Sequence, residues 1–311
     1  MEKQKENPLE SFEVTTHSAI SVVNAIPAGK GATIGIDIPC TVRVILTQQN
    51  KSGLNKIKIA SKTRDPHDLV RTAVEYALAE GCFRIPRSME LRIQIKSKIP
   101  DAVGLKSSSA VSVAAAKAVF GLFAKKIDFR AILKISCNAS KDSKASLTGA
   151  YDDAAASLLG GVVFADNSRF EIIKHTSVPE NLGTKVAILL PVHKSRLTSS
   201  IDRSVYSRYR KENLLAFQYA LEGKIGQAMV LNSIIQSAAL GYSTEPVSSA
   251  LLEGARAAGI TGKGPAIAAL CSDSETLENV SRQWKRKNPD SRVIKTLVVQ
   301  PKRLALGLGA R

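Results

Sequence analysis

The chain has 311 residues, of which 44% are hydrophobic and 23% are charged. These fractions are typical of a globular protein with a sizeable core, and they exclude a disordered chain. The formal net charge of +17 leaves two interpretations open, a nucleic-acid partner or an enzyme for anionic ligands. Net charge bears on solubility and association and does not identify the fold.

The cysteines and histidines show no spacing typical of a metal site. The four cysteines lie far apart and form no C-x-x-C pair, so zinc and a redox dithiol are not expected. No stretch reaches the roughly 18 apolar residues of a membrane helix. The polar start of the chain does not resemble a signal peptide. We therefore expect a cytoplasmic protein with reduced thiols and no membrane partner.

Hydrophobic periodicity predicts a β-rich first half followed by helices. Strands are predicted over residues 12–23, 32–47, 56–61, 89–97 and 162–166. One helix is expected to begin at Asp65-Pro66 and to end near Gly81. Further helices are predicted from the serine run at 107–109 to Phe123, and over 128–138 and 150–159.

The second half predicts a mixed layer of helices and strands. Strands are expected over 185–191, 265–272 and 292–299, and helices over 200–221, 224–238, 246–258 and 275–288. The alternation predicts an α+β protein. We divide the chain into an N-terminal domain, residues 1–175, and a C-terminal domain, residues 176–311.

The strongest signal for function is a loop between a predicted strand and a predicted helix, which reads PDAVGLKSSSA over residues 100–110. Unpaired N–H groups and the dipole at a helix start attract anions, and Gly104 lets the backbone approach a phosphate closely. The three serine hydroxyls can donate to phosphate or coordinate magnesium, and Lys106 adds a positive charge. The alternative is a serine N-cap with polar neighbours, since the Walker pattern GxxxxGK[ST] is absent from the sequence.

Two further segments complete the pattern. The segment TGAYDDAAAS, residues 148–157, places Asp152 and Asp153 at the start of an alanine-rich helix. Such carboxylates are either helix caps or groups that bind a metal or act on a substrate hydroxyl. The segment GITGKGPA, residues 259–266, leads into an apolar strand and by itself is equally typical of an ordinary turn.

In this order the segments resemble the motifs of the GHMP kinase superfamily, which includes galactokinase, homoserine kinase and mevalonate kinase. The family's second motif, PxxxGLGSSAA, is matched by residues 100–110, with Lys106 in place of the central glycine. The early and late glycine motifs are matched by residues 24–31 and 259–264. The segment NAIPAGKGA at 24–32, together with GLKSSSA and TGAYDDAAAS, is most similar to the archaeal shikimate kinases, in which the lysine recurs.

The resemblance implies a fold and a reaction. The fold would be an α+β GHMP kinase fold, with an N-terminal part like domain 2 of ribosomal protein S5 and a ferredoxin-like C-terminal part. The reaction would transfer the γ-phosphoryl group of ATP, with Mg²⁺, to the 3-hydroxyl of shikimate, a step toward chorismate and the aromatic amino acids. The partners would be ATP and shikimate, without nucleic acid or membrane.

The resemblance also implies site residues. Asp153 stands where mevalonate kinase has its catalytic aspartate, counted back from the Gly-Gly pair, and Asp152 competes for that role. Ser108 and Asp142 are the candidate magnesium ligands, with Asp142 replacing a longer glutamate. The expected ATP-binding residues are Pro100, Asp101, Ala102, Val103, Gly104, Leu105, Lys106, Ser107, Ser108, Ser109 and Ala110. The expected substrate-binding residues are Asn24, Lys30, Gly31, Thr148, Gly149, Gly262 and Gly264, and the candidates for clamping the shikimate carboxylate are Lys30, Arg196 and Arg203.

Two alternatives stay open at the level of sequence. One is a GHMP kinase for another small alcohol, such as homoserine or mevalonate, because the acceptor contacts are not fixed by these motifs. The other is a basic RNA-binding module without catalysis, which the cluster RSVYSRYRK at 203–211 favours. The carboxylates beside the glycine loops oppose this second alternative, because they would repel a phosphate backbone.

Overall fold

The computed structural model describes residues 10–48, 57–61, 68–126, 128–192 and 202–302. These residues form two β-sheets with helices packed on them, which confirms the predicted α+β class. The first sheet has the order β3-β4-β2-β5-β6, with β1 paired to β2. Its strands are β1 (Glu10–Val23), β2 (Lys30–Gln48), β3 (Ile57–Ser61), β4 (Met89–Ser97), β5 (Val162–Asp166) and β6 (Glu171–Thr176).

The long strand β2 organises this sheet. It pairs with β1 over most of its length, with β5 through residues 30–34 and with β4 through residues 40–48. Every residue from Ala32 to Ile36 is buried, because this part of β2 is covered on both faces. The start of β2 therefore lies inside the protein, where a polar side chain such as Thr33 needs a hydrogen-bond partner.

Four helices accompany the first sheet: α1 (Leu69–Gly81), α2 (Ser107–Leu122), α3 (Phe129–Asp142) and α4 (Tyr151–Leu159). Helix α2 is central, because it packs against β1, β2 and the other three helices. Small residues around its circumference allow this close approach on all sides. The predicted start of α1 at Asp65-Pro66 lies outside the described residues, and the described helix begins after Asp68.

The second sheet has the order β10-β7-β9-β8, with all neighbours antiparallel. Its strands are β7 (Lys185–Leu190), β8 (Ala257–Ile260), β9 (Ile267–Cys271) and β10 (Arg292–Leu297). The helices of this half are α5 (Arg203–Ser207), α6 (Arg210–Leu221), α7 (Ile225–Leu240), α8 (Glu245–Leu252) and α9 (Ser274–Lys287). Helices α7, α8 and α9 pack against this sheet, and α7 also contacts β1.

Two sequence predictions in this half are wrong. The helix expected over 200–221 is broken within its described part, because α5 ends at Ser207 and α6 begins at Arg210. The helix expected over 246–258 ends at Leu252, and Gly254 then adopts a left-handed φ of 93°. Residues 257–260 form β8 instead, because they are buried and pair with β9.

A single hydrophobic core joins the two sheets. It contains Ile34 and Val163 from the first sheet together with Val186 and Leu270 from the second. The division at residue 175 stays a prediction. All four cysteines are free thiols. Within the described part of the chain, no helix combines the length and apolar character that crossing a membrane requires.

Candidate active site

The start of helix α2 is open to an anion. Lys106 precedes the first helical residue with a φ of 61°, a left-handed conformation that is uncommon outside glycine. Within the described residues no side chain caps this helix. The N–H groups of the first turn, formed by the serine run 107–109, lie at the positive end of the dipole of a 16-residue helix. The Ser107 hydroxyl donates to a carboxylate oxygen of Asp101 at 3.1 Å, so this carboxylate also lies near the helix start.

Two distant segments fix the shape of the loop before α2. The Ser18 hydroxyl on β1 donates to the Leu105 carbonyl at 2.8 Å. From the late glycine loop, the Thr261 hydroxyl donates to the Gly104 carbonyl at 3.1 Å. The loop is thus held from both halves of the protein, and its backbone is prepared for a ligand before one arrives.

Glycine is required where the two loops touch. Gly104 has a φ of 92°, and a Cβ added there would lie 2.2 Å from the Thr261 carbonyl oxygen. A Cβ at Gly262 would lie 2.8 Å from the Gly104 carbonyl oxygen. The early loop joins them, because the Asn24 side-chain amide donates to the Gly262 carbonyl at 2.8 Å. The three glycine segments that are far apart in sequence therefore meet at one place.

An ion pair connects the loop before α2 to the start of α4. The Lys106 ammonium lies 3.0 Å from one carboxylate oxygen of Asp153, and these side chains are only 9% and 13% exposed. The other oxygen of Asp153 accepts a hydrogen bond from the Thr33 hydroxyl at 3.0 Å. A carboxylate is thereby placed beside the cation that precedes the open helix start.

The neighbouring Asp152 lies deeper in the protein. Its side chain accepts a hydrogen bond from the Asn167 amide at 2.8 Å, and its other carboxylate oxygen lies 3.0 Å from the Thr33 hydroxyl oxygen. Burial, together with the negative charge of Asp153, raises the pKa of Asp152 to about 6. The two adjacent aspartates therefore have different surroundings, one buried among neutral groups and one paired with a lysine.

Gly31 leaves the space that Asp152 occupies. A Cβ at Gly31 would lie 2.2 Å from a carboxylate oxygen of Asp152. Because Asn167 and Thr33 hold that carboxylate, it cannot move without losing hydrogen bonds. We expect Gly31→Ala to lower kcat about tenfold or more, since small displacements next to the proposed reacting group, Asp153, are costly. We also expect a loss of about 1–3 kcal/mol in the free energy of unfolding. A denaturant midpoint and a kcat both equal to the wild-type values would show that the Asp152 carboxylate can move aside without loss of stability or activity.

Several other predicted residues are held by protein groups. The Asn24 backbone N–H donates to Asn232, and the Asn24 side-chain oxygen accepts from the Ile26 N–H. The Thr148 hydroxyl accepts from the Ala150 N–H at the start of α4. Asn24 is buried, and its contacts connect the early loop to the late glycine loop and to α7.

Three candidate cations for the acceptor carboxylate and one candidate carboxylate for the metal remain to be placed. Lys30 lies at the start of β2, with its ammonium 6.0 Å from the centre of the Phe217 ring. Arg196 and the side chain of Arg203 lie outside the described residues. Asp142 is exposed at the end of α3, and it accepts a hydrogen bond from the Tyr76 hydroxyl on α1. Among the described contacts, those of Asp142 run to α1 and not to Asp153.

Three polar residues of the site were not predicted from the sequence. They are Thr33, Asn167 and Lys263. The last lies between Gly262 and Gly264 in the late loop, and burial and the nearby charge of Lys106 lower its pKa to about 8. A lysine between two glycines was a usable signal for Lys263. Thr33 and Asn167 gave no such signal, because Thr33 belongs to an ordinary strand pattern and Asn167 follows one.

The arrangement suits the transfer of a phosphoryl group. The open helix start and the two lysines can hold a polyphosphate, and Asp153 lies beside them to contact a hydroxyl group. The serine hydroxyls at the helix start are hard oxygen donors of the kind that magnesium takes. Among the described residues no group of three histidine, cysteine or acidic side chains could hold a metal.

Two family models match the chain. Residues 68–161 match the N-terminal domain of GHMP kinases, and residues 221–290 match the GHMP kinase C-terminal domain. The shikimate kinase of Pyrococcus furiosus is 35% identical over 267 residues, which cover 86% of this chain and 94% of that protein. The shikimate kinase of Methanosarcina acetivorans is 32% identical over 279 residues, which cover 89% of this chain and 90% of that protein.

Solved structures share the architecture over nearly the whole chain. The mevalonate kinase of Methanococcus jannaschii superposes with a TM-score of 0.73 at 16% identity, covering 96% of this chain and 100% of that one. The homoserine kinase of Cytophaga hutchinsonii gives a TM-score of 0.72 at 19% identity, covering 97% and 98%. At these identities the superpositions establish the fold and not the substrate.

Proposed function

The chain belongs to the GHMP kinase family, and we propose that it is a shikimate kinase, transferring the γ-phosphoryl group of ATP to the 3-hydroxyl of shikimate. The observation that carries the proposal is the ion pair between Lys106 and Asp153 at the open start of α2. In this proposal, the Asp153 carboxylate would contact the acceptor hydroxyl and the start of α2 would bind the phosphates beside it. The choice of shikimate as the acceptor is supported by the relatives named shikimate kinase, which this chain matches over most of its length.

Binding of the triphosphate rests on charge and on a prepared backbone. The first-turn N–H groups of α2 would donate to phosphate oxygens, and Lys106 and Lys263 would offset their charge. Phosphoryl transfer needs little covalent help from a protein, so positioning and charge neutralisation account for most of the rate. The loop contacts made by Ser18 and Thr261 keep this geometry fixed.

Asp153 would act on the acceptor. With Lys106 on one oxygen and Thr33 on the other, its carboxylate is held in a single orientation. It would accept a hydrogen bond from the 3-hydroxyl of shikimate, align that oxygen with the γ-phosphorus and take its proton as the new bond forms. Among the three candidates for binding the shikimate carboxylate, Lys30 is the one whose side chain the structure describes.

The family implies a magnesium ion bound with ATP. Ser108, an exposed hydroxyl in the first turn of α2, is the protein ligand we propose for it. When bound, the ion would neutralise charge on the phosphates and hold them in one conformation.

Lys263 gives the site a testable pH dependence. An amine whose pKa is lowered to about 8 loses its positive charge as the pH rises through that value. We expect kcat/KM for ATP to fall above about pH 8, while Lys263→Met lowers kcat/KM and abolishes that fall. Lys287→Met, which changes an exposed lysine on α9, is the matched control and should keep the wild-type profile. An unchanged profile in Lys263→Met would remove Lys263 from ATP binding.

The proposed function is tested by coupled ADP release from Mg-ATP with shikimate, homoserine and mevalonate as parallel acceptors. We expect turnover that depends on shikimate. Turnover with one of the other alcohols alone would keep the kinase fold and reject the substrate. No turnover with any acceptor, together with RNA binding that weakens as salt rises, would favour a binding module instead.

A further inference from the structure

The Thr33 hydroxyl faces two acceptors with one proton. Its oxygen lies 3.0 Å from a carboxylate oxygen of Asp152 and 3.0 Å from a carboxylate oxygen of Asp153. A threonine hydroxyl donates a single hydrogen bond and can accept others. Thr33 is fully buried. If both carboxylates were ionised, one of them would face the lone pairs of the Thr33 oxygen inside the protein, which is costly.

We propose that the two aspartates share a proton held on Asp152, so that Asp152 and Thr33 act as positioning residues for an ionised Asp153. The Asp152 carboxyl donates to the Thr33 oxygen, and the Thr33 hydroxyl donates to Asp153. Lys106 donates to the second oxygen of Asp153. One proton thereby gives every close contact a donor and an acceptor. The inference rests on the proposed function, because it assigns Asp153 to the acceptor hydroxyl.

The surroundings of the pair favour the proton on Asp152. Among the described residues, the charged and titratable groups that face Asp152 are Asp153 on the same helix, Lys106 from the loop before α2 and the Cys137 thiol from α3, on which Lys141 also acts. Lys106 contacts Asp153 directly and so stabilises a negative charge there. Burial raises the pKa of Cys137 well above its ordinary value, so this thiol is neutral. The hydrogen-bond partners of Asp152 itself are the neutral side chains of Asn167 and Thr33.

A bound triphosphate would strengthen this assignment. Burial already raises the pKa of Asp152 to about 6, and negative charge at the start of α2 disfavours a second ionised carboxylate nearby. The protonated pair should therefore be most populated when ATP is in place. Asp153 would then face the acceptor with its charge intact and its orientation fixed from both sides.

The test uses the two isosteric amides, Asp152→Asn and Asp153→Asn. An asparagine at 152 imitates a protonated carboxyl, because its oxygen can accept from Asn167 and its NH₂ group can donate to Thr33. We expect Asp152→Asn to lower kcat by only about two- to threefold, and Asp152→Ala to lower it about tenfold. Thr33→Val should lower kcat about tenfold with little change in KM for ATP, and Thr33→Ser should restore it.

The opposite ranking would overturn the proposal. If Asp152→Asn, folded as judged by its denaturant midpoint, loses as much activity as Asp153→Asn, then Asp152 works as an ionised group. A second readout is independent of turnover. Infrared difference spectra at pH 6 with bound ATP should show a protonated carboxyl band that Asp152→Asn removes. Absence of this band from the wild-type protein would also reject the shared proton, whereas inactivity toward shikimate with the band present would reject only the acceptor.

Discussion

Asp153→Asn is expected to lower kcat for shikimate-dependent ADP release by about 10²–10⁴-fold, the usual contribution of a positioned base. The amide keeps the size of the side chain, but it can neither take a proton nor pair with the charge of Lys106. Binding of ATP should change much less, because the N–H groups of α2 and Lys263 are unaltered. Steady-state kinetics with varied ATP and shikimate would separate the two effects.

The matched control for this variant is Asp290→Asn. It makes the same chemical change at an exposed position between α9 and β10, so its kcat should equal that of the wild type. Equal denaturant midpoints for the two variants would show that both are folded. If Asp153→Asn kept more than about half of the wild-type rate, Asp153 would neither orient nor deprotonate the acceptor.

Gly104→Ala is expected to raise KM for ATP about tenfold or more, because a small shift of a positioning loop is costly. The added Cβ would lie 2.2 Å from the Thr261 carbonyl oxygen, and the φ of 92° is strained for any L side chain. Backbone cannot move aside as a flexible side chain can, so the two glycine loops must separate. We also expect a loss of about 1–3 kcal/mol in the free energy of unfolding.

Gly223→Ala separates strain from displacement of the loop. Gly223 also has a left-handed φ, of 83°, but a Cβ there would meet nothing within 4 Å. This variant should lose about 1 kcal/mol of stability from backbone strain and keep the wild-type KM for ATP. If the two alanine variants raised KM for ATP equally, contact between the two loops would not matter for binding ATP.

The fold and the loop before α2 could be predicted because their signals are local. Helix α2 was predicted from its small residues and from the glycine and serines at its start, and strand β4 was predicted from the alternation of residues 89–97. Each of these patterns involves only residues that are close together in the chain. The predicted GHMP kinase fold is confirmed by the family models over both halves. The prediction over 246–258 was wrong because helix α8 and strand β8 share one apolar, alanine-rich stretch. Residues 257–260 form a strand because they pair with β9, and this pairing cannot be inferred from the stretch itself.

The chemistry of the site depends on contacts between distant residues, and the sequence alone does not reveal them. Thr33 meets Asp152 and Asp153 across 119 and 120 positions of the chain. Lys106 was predicted to bind phosphate, but its pairing with Asp153 follows only from the folding of α4 against α2. A pattern of residue types could therefore place Asp152 and Asp153 at a site, but it could not assign them different roles.

The proposed phosphorylation of the 3-hydroxyl of shikimate is tested most directly by NMR of the product formed from ATP and shikimate. We predict one new phosphate ester, whose phosphorus couples to the proton on carbon 3 of the ring, with one ADP formed for each ester. A phosphate on another hydroxyl, or ADP formed without any ester, would contradict the claim.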